Sequence, residues 1–241
     1  MKEKNMILDD GFMFGLGAFE TILIKNGQAV FLCEHLKRLS SALRVLKIKQ
    51  DIKGSDVLAY IEQNNLNNTA LKIMVSEENI FFTVRDSGYK EDDFQKGMRI
   101  GISPIIRNET SPFTYLKSLN FADNIWEKRQ AKESGYDEPL FLNTKGEITE
   151  GATSNIFFVK GNDLYTPDLK CGMINGIVRG YVIEKYDAFE TIISQNEVQE
   201  FDEIFITNSL LGIMPIVQFE DLELSIGKIT CQIRQEYERD I

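Results

Sequence analysis

The sequence has little histidine and no long apolar run. His35 is the single histidine, and no stretch of about 18 apolar residues is present, so a membrane span is not expected. One imidazole cannot build a His-rich metal site, and it would serve a Ser-His-Asp triad only as the base. The first residues, MKEKNMILDDGF, contain no apolar segment of the kind found in secretory signals. These features predict a protein that stays in the cytoplasm and neither crosses nor binds a membrane.

Cysteine is also scarce. The three cysteines, Cys33, Cys171 and Cys231, are far apart and form no Cys-x-x-Cys pair. Neither a zinc site nor a disulfide framework is expected, and the thiols are predicted to be reduced.

The charge is strongly negative. Lysine and arginine number 27 against 37 aspartates and glutamates, which gives a net charge of −10 over 241 residues. Such a surface repels phosphate backbones, so nucleic acid is not an expected partner. Chemistry in this chain is therefore expected to rest on Lys, Glu, Arg or Tyr side chains, or on a bound cofactor.

Hydrophobic patterning predicts a mixed α+β protein. Extended segments are expected at 12–16 and 18–25, and Asn26-Gly27 predicts a tight hairpin turn to a second strand, AVFL. Leucines spaced by three or four residues after Glu34 predict an amphipathic helix, and further helices are expected near 54–64, after 119, from 175 and over 224–238. Asn175 is the predicted N-cap of the helix in NGIVRGYVIEKY. Strand-like segments fill most of the remaining sequence.

The polar, turn-rich segment RNETSPF, residues 107–113, is the predicted linker between two domains. A small α+β domain is expected over 1–106, and a larger, strand-rich domain over 114–241.

Four segments carry residues with chemical potential: EHLKRL, YLKSLN, EITEGATSNIFFV and MINGIVR. Each also has an ordinary explanation. Arg38 and Lys117 resemble solvated surface residues, Glu150 a turn acid, and NGIVRG a capped helix start. The N-terminal FMFGLGAFET poses a similar question, because it reads equally as a buried hairpin and as part of a site.

Taken together, in this order and spacing, the segments resemble the class IV aminotransferase family. These are pyridoxal-phosphate (PLP) enzymes of fold type IV, like D-amino-acid aminotransferase, and the resemblance runs from FGLGAFET to TNSLLGIMPIV. It implies a two-domain fold with a small α/β N-terminal domain and a larger, strand-rich C-terminal domain. It also implies a homodimer that acts on a small-molecule substrate.

The resemblance implies roles for individual residues. Lys117 matches the lysine that links covalently to PLP and later moves protons. Glu150 matches the carboxylate that keeps the pyridine nitrogen of PLP protonated. Contacts to the PLP phosphate are implied for the Arg38 side chain, the N–H groups of Ile177 and Val178 at a helix start, and Ser209.

Within the family, several segments are most similar to the 4-amino-4-deoxychorismate lyase branch, which releases pyruvate and 4-aminobenzoate for folate synthesis. The Arg-x-His segment of D-amino-acid aminotransferases and the Gly- and Pro-containing segment of branched-chain enzymes are both absent. Phe19 is then expected to be a wall of the substrate pocket and Glu20 a structural acid at its edge. Arg85 and Arg107 are candidate partners for the two substrate carboxylates, or are ordinary surface residues. Two alternatives stay open: a transaminase acting on D-amino or branched-chain amino acids, and a non-catalytic homologue that binds PLP or a metabolite.

Overall fold

A computed structural model describes residues 6–241. These residues form two compact units. The first comprises the described residues up to Ser87 together with Leu116–Phe121, and the second comprises Gly88–Tyr115 and Ala122–Ile241.

The first unit is a four-stranded antiparallel sheet with helices. Its elements are α1 (Asp10–Phe14), β1 (Ala18–Lys25), β2 (Gln28–Ala29), α2 (Leu32–Val45), α3 (Gly54–Gln63), β3 (Thr69–Val75) and β4 (Ile80–Asp86). The strands lie in the order β2-β1-β3-β4. The helices predicted after Glu34 and near 54–64 are confirmed, as are the two strands of the β3–β4 hairpin.

Turn chemistry explains the start of this unit. Asn26 and Gly27 both have positive φ, 52° and 77°, as a two-residue hairpin turn requires, and the predicted turn is confirmed. The extended segment predicted over 12–16 is wrong, because the Asp9 carboxylate accepts hydrogen bonds from the backbone N–H groups of Gly11 and Phe12 and so caps α1. The second strand is shorter than predicted, ending at Ala29.

One face of this sheet forms a core with α2 and α3. The side chains of this core are at most 4% exposed. They include Ala18, Ile22, Ile24, Leu39, Leu43, Val57, Ile61, Leu71, Ile73 and Val75. Because side chains alternate along a strand, Phe19 and Thr21 of β1 and Lys72 of β3 belong to the opposite face.

The second unit is built on a larger mixed sheet. Its elements are α4 (Glu91–Lys96), β5 (Met98–Arg107), α5 (Ala122–Glu133), β6 (Glu138–Asn143), β7 (Ile148–Gly151), β8 (Asn155–Lys160), β9 (Asp163–Pro167), α6 (Ile177–Tyr186), β10 (Phe189–Thr191), β11 (Glu203–Asn208), β12 (Gly212–Phe219), β13 (Leu222–Glu223) and α7 (Lys228–Asp240). The sheet order is β10-β9-β8-β11-β12-β5-β6-β7, with β13 paired to β12. The α+β class is confirmed.

The division of the chain differs from the predicted domains at residues 88–113. These residues lie in the second unit, because β5 pairs in parallel with both β6 and β12 and so occupies the interior of the larger sheet. The segment 116–121 lies in the first unit, where Ser118 forms a bridge with Ala18. Long-range strand pairing, which local composition does not reveal, sets both boundaries. Within the described part of the chain, no helix is both long and apolar enough to cross a membrane.

Candidate functional site

The segment that carries Lys117 is fastened to the start of β1. The backbone N–H of Phe19 donates to the carbonyl of Lys117 over 2.9 Å, and the N–H of Leu119 donates to the carbonyl of Gly17 over 2.8 Å. A Cβ at Gly17 would lie 2.6 Å from the carbonyl oxygen of Val75 and 2.5 Å from Cδ1 of Leu119. Glycine in FGLGAFET therefore permits the close backbone approach that holds the lysine segment on β1.

Phe19 is the aromatic centre of this group. The Nζ of Lys117 lies 4.6 Å from the centroid of its ring, and the Nζ of Lys72 lies 4.4 Å from it. Phe121 packs edge-on against the same ring, with 5.2 Å between centroids. The amino groups of two lysines thus share one aromatic neighbour, whose negative ring face attracts cations. The buried residues 17–20 of this motif, most of them in β1, are therefore the neighbours of the predicted reactive lysine.

Lys72 is a functional candidate that sequence reasoning missed. It lies opposite Thr21 on β1 and Thr83 on β4, and Arg85 follows two residues beyond Thr83 on the same face of the sheet. Burial lowers the pKa of Lys72, and the positive charge of Arg85 lowers it further. The signal in the sequence is the polar residue within the apolar run ALKIMV.

Beneath that face, Glu20 is fully buried and binds two side chains of α2. Arg38 donates from Nε to Oε1 over 2.7 Å and from Nη2 to Oε2 over 2.6 Å. Nδ1 of His35 lies 2.7 Å from Oε2. Burial opposes ionisation of Glu20, but the charge and hydrogen bonds of Arg38 and the hydrogen bond of His35 lower its pKa to about 2. Glu20 is therefore a carboxylate whose charge is compensated mainly by Arg38.

In the second unit, Glu150 at the end of β7 is also buried. Its Oε2 accepts from the backbone N–H of Ile174 over 3.2 Å and from Nδ2 of Asn155 over 3.4 Å. Nη2 of Arg107 lies 3.8 Å from its Oε1. The motif TEGATSN thus presents a carboxylate that accepts two hydrogen bonds and lies beside one cation, and Ile174 and Arg107 are both more than 20 positions away from it.

The side chain of Arg107 packs on a ring and donates a hydrogen bond within the second unit. Its guanidinium lies 3.9 Å from the centre of the Phe141 ring, and Nη1 donates to Oδ1 of Asn124 over 3.2 Å. Its side chain is only 13% exposed. The contacts of Arg107 are thus with Phe141, Asn124 and Glu150. Its contact with a substrate carboxylate stays a prediction.

The helix that carries Ile177 and Val178 starts differently from the prediction. The N-cap of α6 is Gly176, not Asn175, and no side chain caps it, whereas Oδ1 of Asn175 accepts from Nη1 of Arg179. The prediction that Asn175 is the N-cap is therefore wrong. A Cβ at position 176 would lie 2.0 Å from Oδ1 of Asn155, so a larger residue there would displace the side-chain amide that donates to Glu150.

Arg179, a second residue missed from sequence, anchors this helix start. Its side chain is 1% exposed and donates from Nη2 to the carbonyl of Pro167 over 2.9 Å and to the carboxylate of Glu190. A helix start without a side-chain cap presents the N–H groups of Ile177 and Val178, which suits an anion.

Ser209 lies in the turn after β11. The side chain of Asn208 holds this turn, because its Oδ1 accepts from the N–H groups of Leu210 and Leu211. Its Nδ2 donates to the carbonyl of Thr153, in the turn that follows Glu150. Glu138 holds that second turn by accepting from the N–H of Thr153 and from Oγ of Ser154. The Ser209 and Glu150 turns are therefore parts of one hydrogen-bonded network.

The fold and these residues define the class of protein. The chain belongs to the class IV aminotransferase family, whose model matches residues 17–219. It is 26% identical to the aminodeoxychorismate lyase of Bacillus subtilis, over 100% of this chain and 92% of that protein. It is 25% identical to the D-alanine aminotransferase of Bacillus licheniformis, over 92% of this chain and 85% of that protein.

A solved structure shows the same fold. The 4-amino-4-deoxychorismate lyase from Pseudomonas aeruginosa superposes with a TM-score of 0.88 at 23% identity, covering 100% of this chain and 97% of that one. The predicted fold type is confirmed. The relatives include both a lyase and a transaminase, and the family is one of PLP-dependent enzymes.

Proposed function

We propose that this protein is a PLP-dependent 4-amino-4-deoxychorismate lyase, which releases 4-aminobenzoate and pyruvate. The observation that carries the proposal is the pair of cations, Lys72 and Arg85, on the sheet face where Lys117 contacts Phe19. The substrate has two carboxylates, and each needs a cationic partner. A small amino acid has one α-carboxylate and makes less use of such a face.

Each unit carries groups that suit PLP. In the first unit, Lys117 supplies an amine and Arg38 a guanidinium suited to a phosphate. In the second unit, Glu150 supplies a buried carboxylate for the pyridine nitrogen, and the start of α6 and Ser209 supply donors suited to a phosphate. When bound, PLP supplies an electron sink that stabilises negative charge on the substrate carbon attached to its nitrogen.

The residues of this chain then divide the work. Lys117 removes the proton at C4 of the substrate through Nζ, and its ammonium form is one source of the proton that the released enolpyruvyl group needs to become pyruvate. Glu150 keeps a proton on the pyridine nitrogen, and the guanidinium of Arg107 lies beside it, with 3.8 Å between Nη2 and Oε1. Phe19 forms one wall, and Lys72 with Arg85 binds the carboxylates. The bond between C3 and the ether oxygen breaks, and the ring becomes aromatic.

The test is a product assay with chorismate, an aminodeoxychorismate synthase and glutamine, with 4-aminobenzoate and pyruvate measured separately. We expect equal amounts of the two products. We also expect incubation with D-alanine, leucine or glutamate to convert little PLP to pyridoxamine phosphate. The second candidate, a transaminase acting on D-amino or branched-chain amino acids, is favoured if D-alanine or leucine has the higher kcat/KM. Purified protein that stays colourless with added PLP would contradict both functions and favour a non-catalytic homologue.

We further propose a homodimer. The described part of the N-terminal segment exposes a run of large apolar side chains, each at least half exposed: Met6, Ile7, Leu8, Phe12, Met13 and Phe14. A second copy of the chain would remove this surface from water.

A further inference from the structure

We propose that Glu20 and His35 are positioning residues that aim Arg38 at the cofactor phosphate, with His35 acting as a neutral imidazole protonated at Nδ1. This inference rests on the proposed role of Arg38 as a phosphate contact. According to this inference, two buried residues, one of them the single histidine of the chain, increase the affinity for the cofactor phosphate.

The first step is the two-point contact between Glu20 and Arg38. The Nε–Nη2 edge of the guanidinium faces both carboxylate oxygens, at 2.7 and 2.6 Å. Because the guanidinium is planar and rigid, this contact fixes the direction in which its Nη1 end points. A lone arginine at the end of four rotatable bonds would lose conformational entropy each time it bound an anion.

The second step is the anchoring of Glu20 itself. The carboxylate lies on the core side of β1 with an exposed fraction of 0%, while the Arg38 side chain is 18% exposed. Glu20 therefore cannot follow the arginine into solvent. His35, one helical turn before Arg38 on α2, holds Oε2 from a second direction over 2.7 Å.

The third step is the protonation state of His35. A carboxylate only accepts hydrogen bonds, so the proton must lie on Nδ1. Nε2 is buried and has no hydrogen-bond partner among residues 6–241, so a proton there would be an unsatisfied donor. Burial lowers the pKa of His35. The hydrogen bond and negative charge of Glu20 act in the opposite direction, the positive charges of Arg38 and Lys117 lower the pKa further, and the net direction is downward. The neutral imidazole therefore donates a hydrogen bond to Glu20 without adding a positive charge. Arg38 alone compensates the negative charge of Glu20 among these contacts.

The decisive measurement compares the affinities of the apoprotein for PLP and for pyridoxal, which lacks the phosphate. Glu20 and His35 are expected to affect only the phosphate-dependent part, so we use the ratio of the pyridoxal Kd to the PLP Kd. His35→Leu removes the donor to Glu20 and is expected to lower this ratio about tenfold, the effect of losing one hydrogen bond to a charged group. His35→Asn places an amide N–H near the position of Nδ1 and is expected to keep most of the ratio. Arg44→Met, an exposed arginine on the same helix, is the matched control and should leave it unchanged.

Different outcomes separate this inference from the function on which it rests. If Arg38→Met leaves the ratio unchanged, the phosphate role of Arg38 is wrong. If Arg38→Met lowers the ratio and His35→Leu does not, the positioning role is wrong. Equal losses of PLP and pyridoxal affinity in His35→Leu, or failure of His35→Asn to restore the ratio, would also overturn it.

A second measurement needs no variant. Because the chain has one histidine, protein labelled with ¹⁵N-histidine gives the signals of His35 alone. We expect the spectrum of a neutral imidazole protonated at Nδ1 at pH 7. A spectrum of the Nε2–H form or of the imidazolium would overturn the proposal even if every variant failed to fold.

Discussion

Arg107 lies beside Glu150, with 3.8 Å between Nη2 and Oε1, and both side chains are largely buried. This geometry places a positive charge beside the carboxylate that we propose as the partner of the pyridine nitrogen. The pairing makes support of Glu150 an alternative to the substrate contact predicted for Arg107 from the sequence, and kinetics can separate the two roles.

We expect Arg107→Met to lower kcat about tenfold, a loss of about 1.4 kcal/mol of transition-state stabilisation, with a smaller effect on KM. Glu150→Gln should act on the same step and lower kcat further. Steady-state kinetics on 4-aminobenzoate release distinguish the roles, with Glu184→Gln, an exposed glutamate on α6, as the control. A rise in KM at unchanged kcat would instead indicate that Arg107 binds a substrate carboxylate.

Lys117 should carry the cofactor. Borohydride reduction of the PLP-loaded protein, followed by peptide mapping, is expected to place the pyridoxyl label on Lys117. Lys117→Ala should lose turnover and the visible absorption of the bound cofactor while keeping the unfolding midpoint of the wild-type apoprotein. Lys72 is the most informative internal control, because its Nζ lies against the same Phe19 ring. A label on Lys72 would contradict the assignment.

Lys72 is expected to bind the substrate through its charge. Lys72→Met should raise KM about tenfold with a smaller change in kcat, while the exposed Lys49→Met should leave KM unchanged. Because burial lowers the pKa of Lys72, its ammonium is lost below the pH at which an ordinary lysine titrates. The KM of the wild type should therefore rise on the alkaline side, and this rise should be absent in Lys72→Met. An identical pH profile in both proteins would exclude Lys72 from substrate binding.

Stability should fall with acid in two ranges. His35 has a lowered pKa in the folded state, so the unfolded state binds more protons and stability is lost as pH falls through 6.5. Glu20 also has a lowered pKa, and its contribution, on the order of 3 kcal/mol, is lost as pH falls from 4.5 towards 2. Urea unfolding of the apoprotein at several pH values tests this.

His35→Asn should remove the change near pH 6.5, and Glu20→Gln should flatten the slope below pH 4.5. Glu34→Gln, which changes an exposed acid on α2, is the control for the range below pH 4.5. Wild-type slopes in both variants would show that neither residue controls the acid response.

The proposed dimer is expected to depend on the exposed apolar segment near the N-terminus. Phe14 is 67% exposed, and Phe14→Glu is expected to give a 27.6 kDa monomer in sedimentation at micromolar concentration. Val45→Glu, at a similarly exposed valine of α2, should remain a dimer. A monomeric wild type would contradict the proposal directly.

The sequence by itself determined the features set by local chemistry. The Asn26-Gly27 turn follows from the positive φ that these residues tolerate, and the helix after Glu34 follows from its leucine spacing. The family resemblance, which rests on short motifs, also came from the sequence and is confirmed. Local patterns failed where a nearby side chain competed for the backbone, as Asp9 does at the start of α1.

Only the tertiary structure decided which charges meet. Glu20 and Arg38 are 18 residues apart, and Glu150 and Arg107 are 43 apart, on elements whose adjacency depends on strand pairing. Residues 88–106 joined the larger unit for the same reason, because the partners of β5 lie far away in sequence. A buried carboxylate is stable only when a cation or hydrogen-bond donors lie beside it, and the fold supplies these from distant parts of the sequence. A local motif therefore identifies only one residue of each pair.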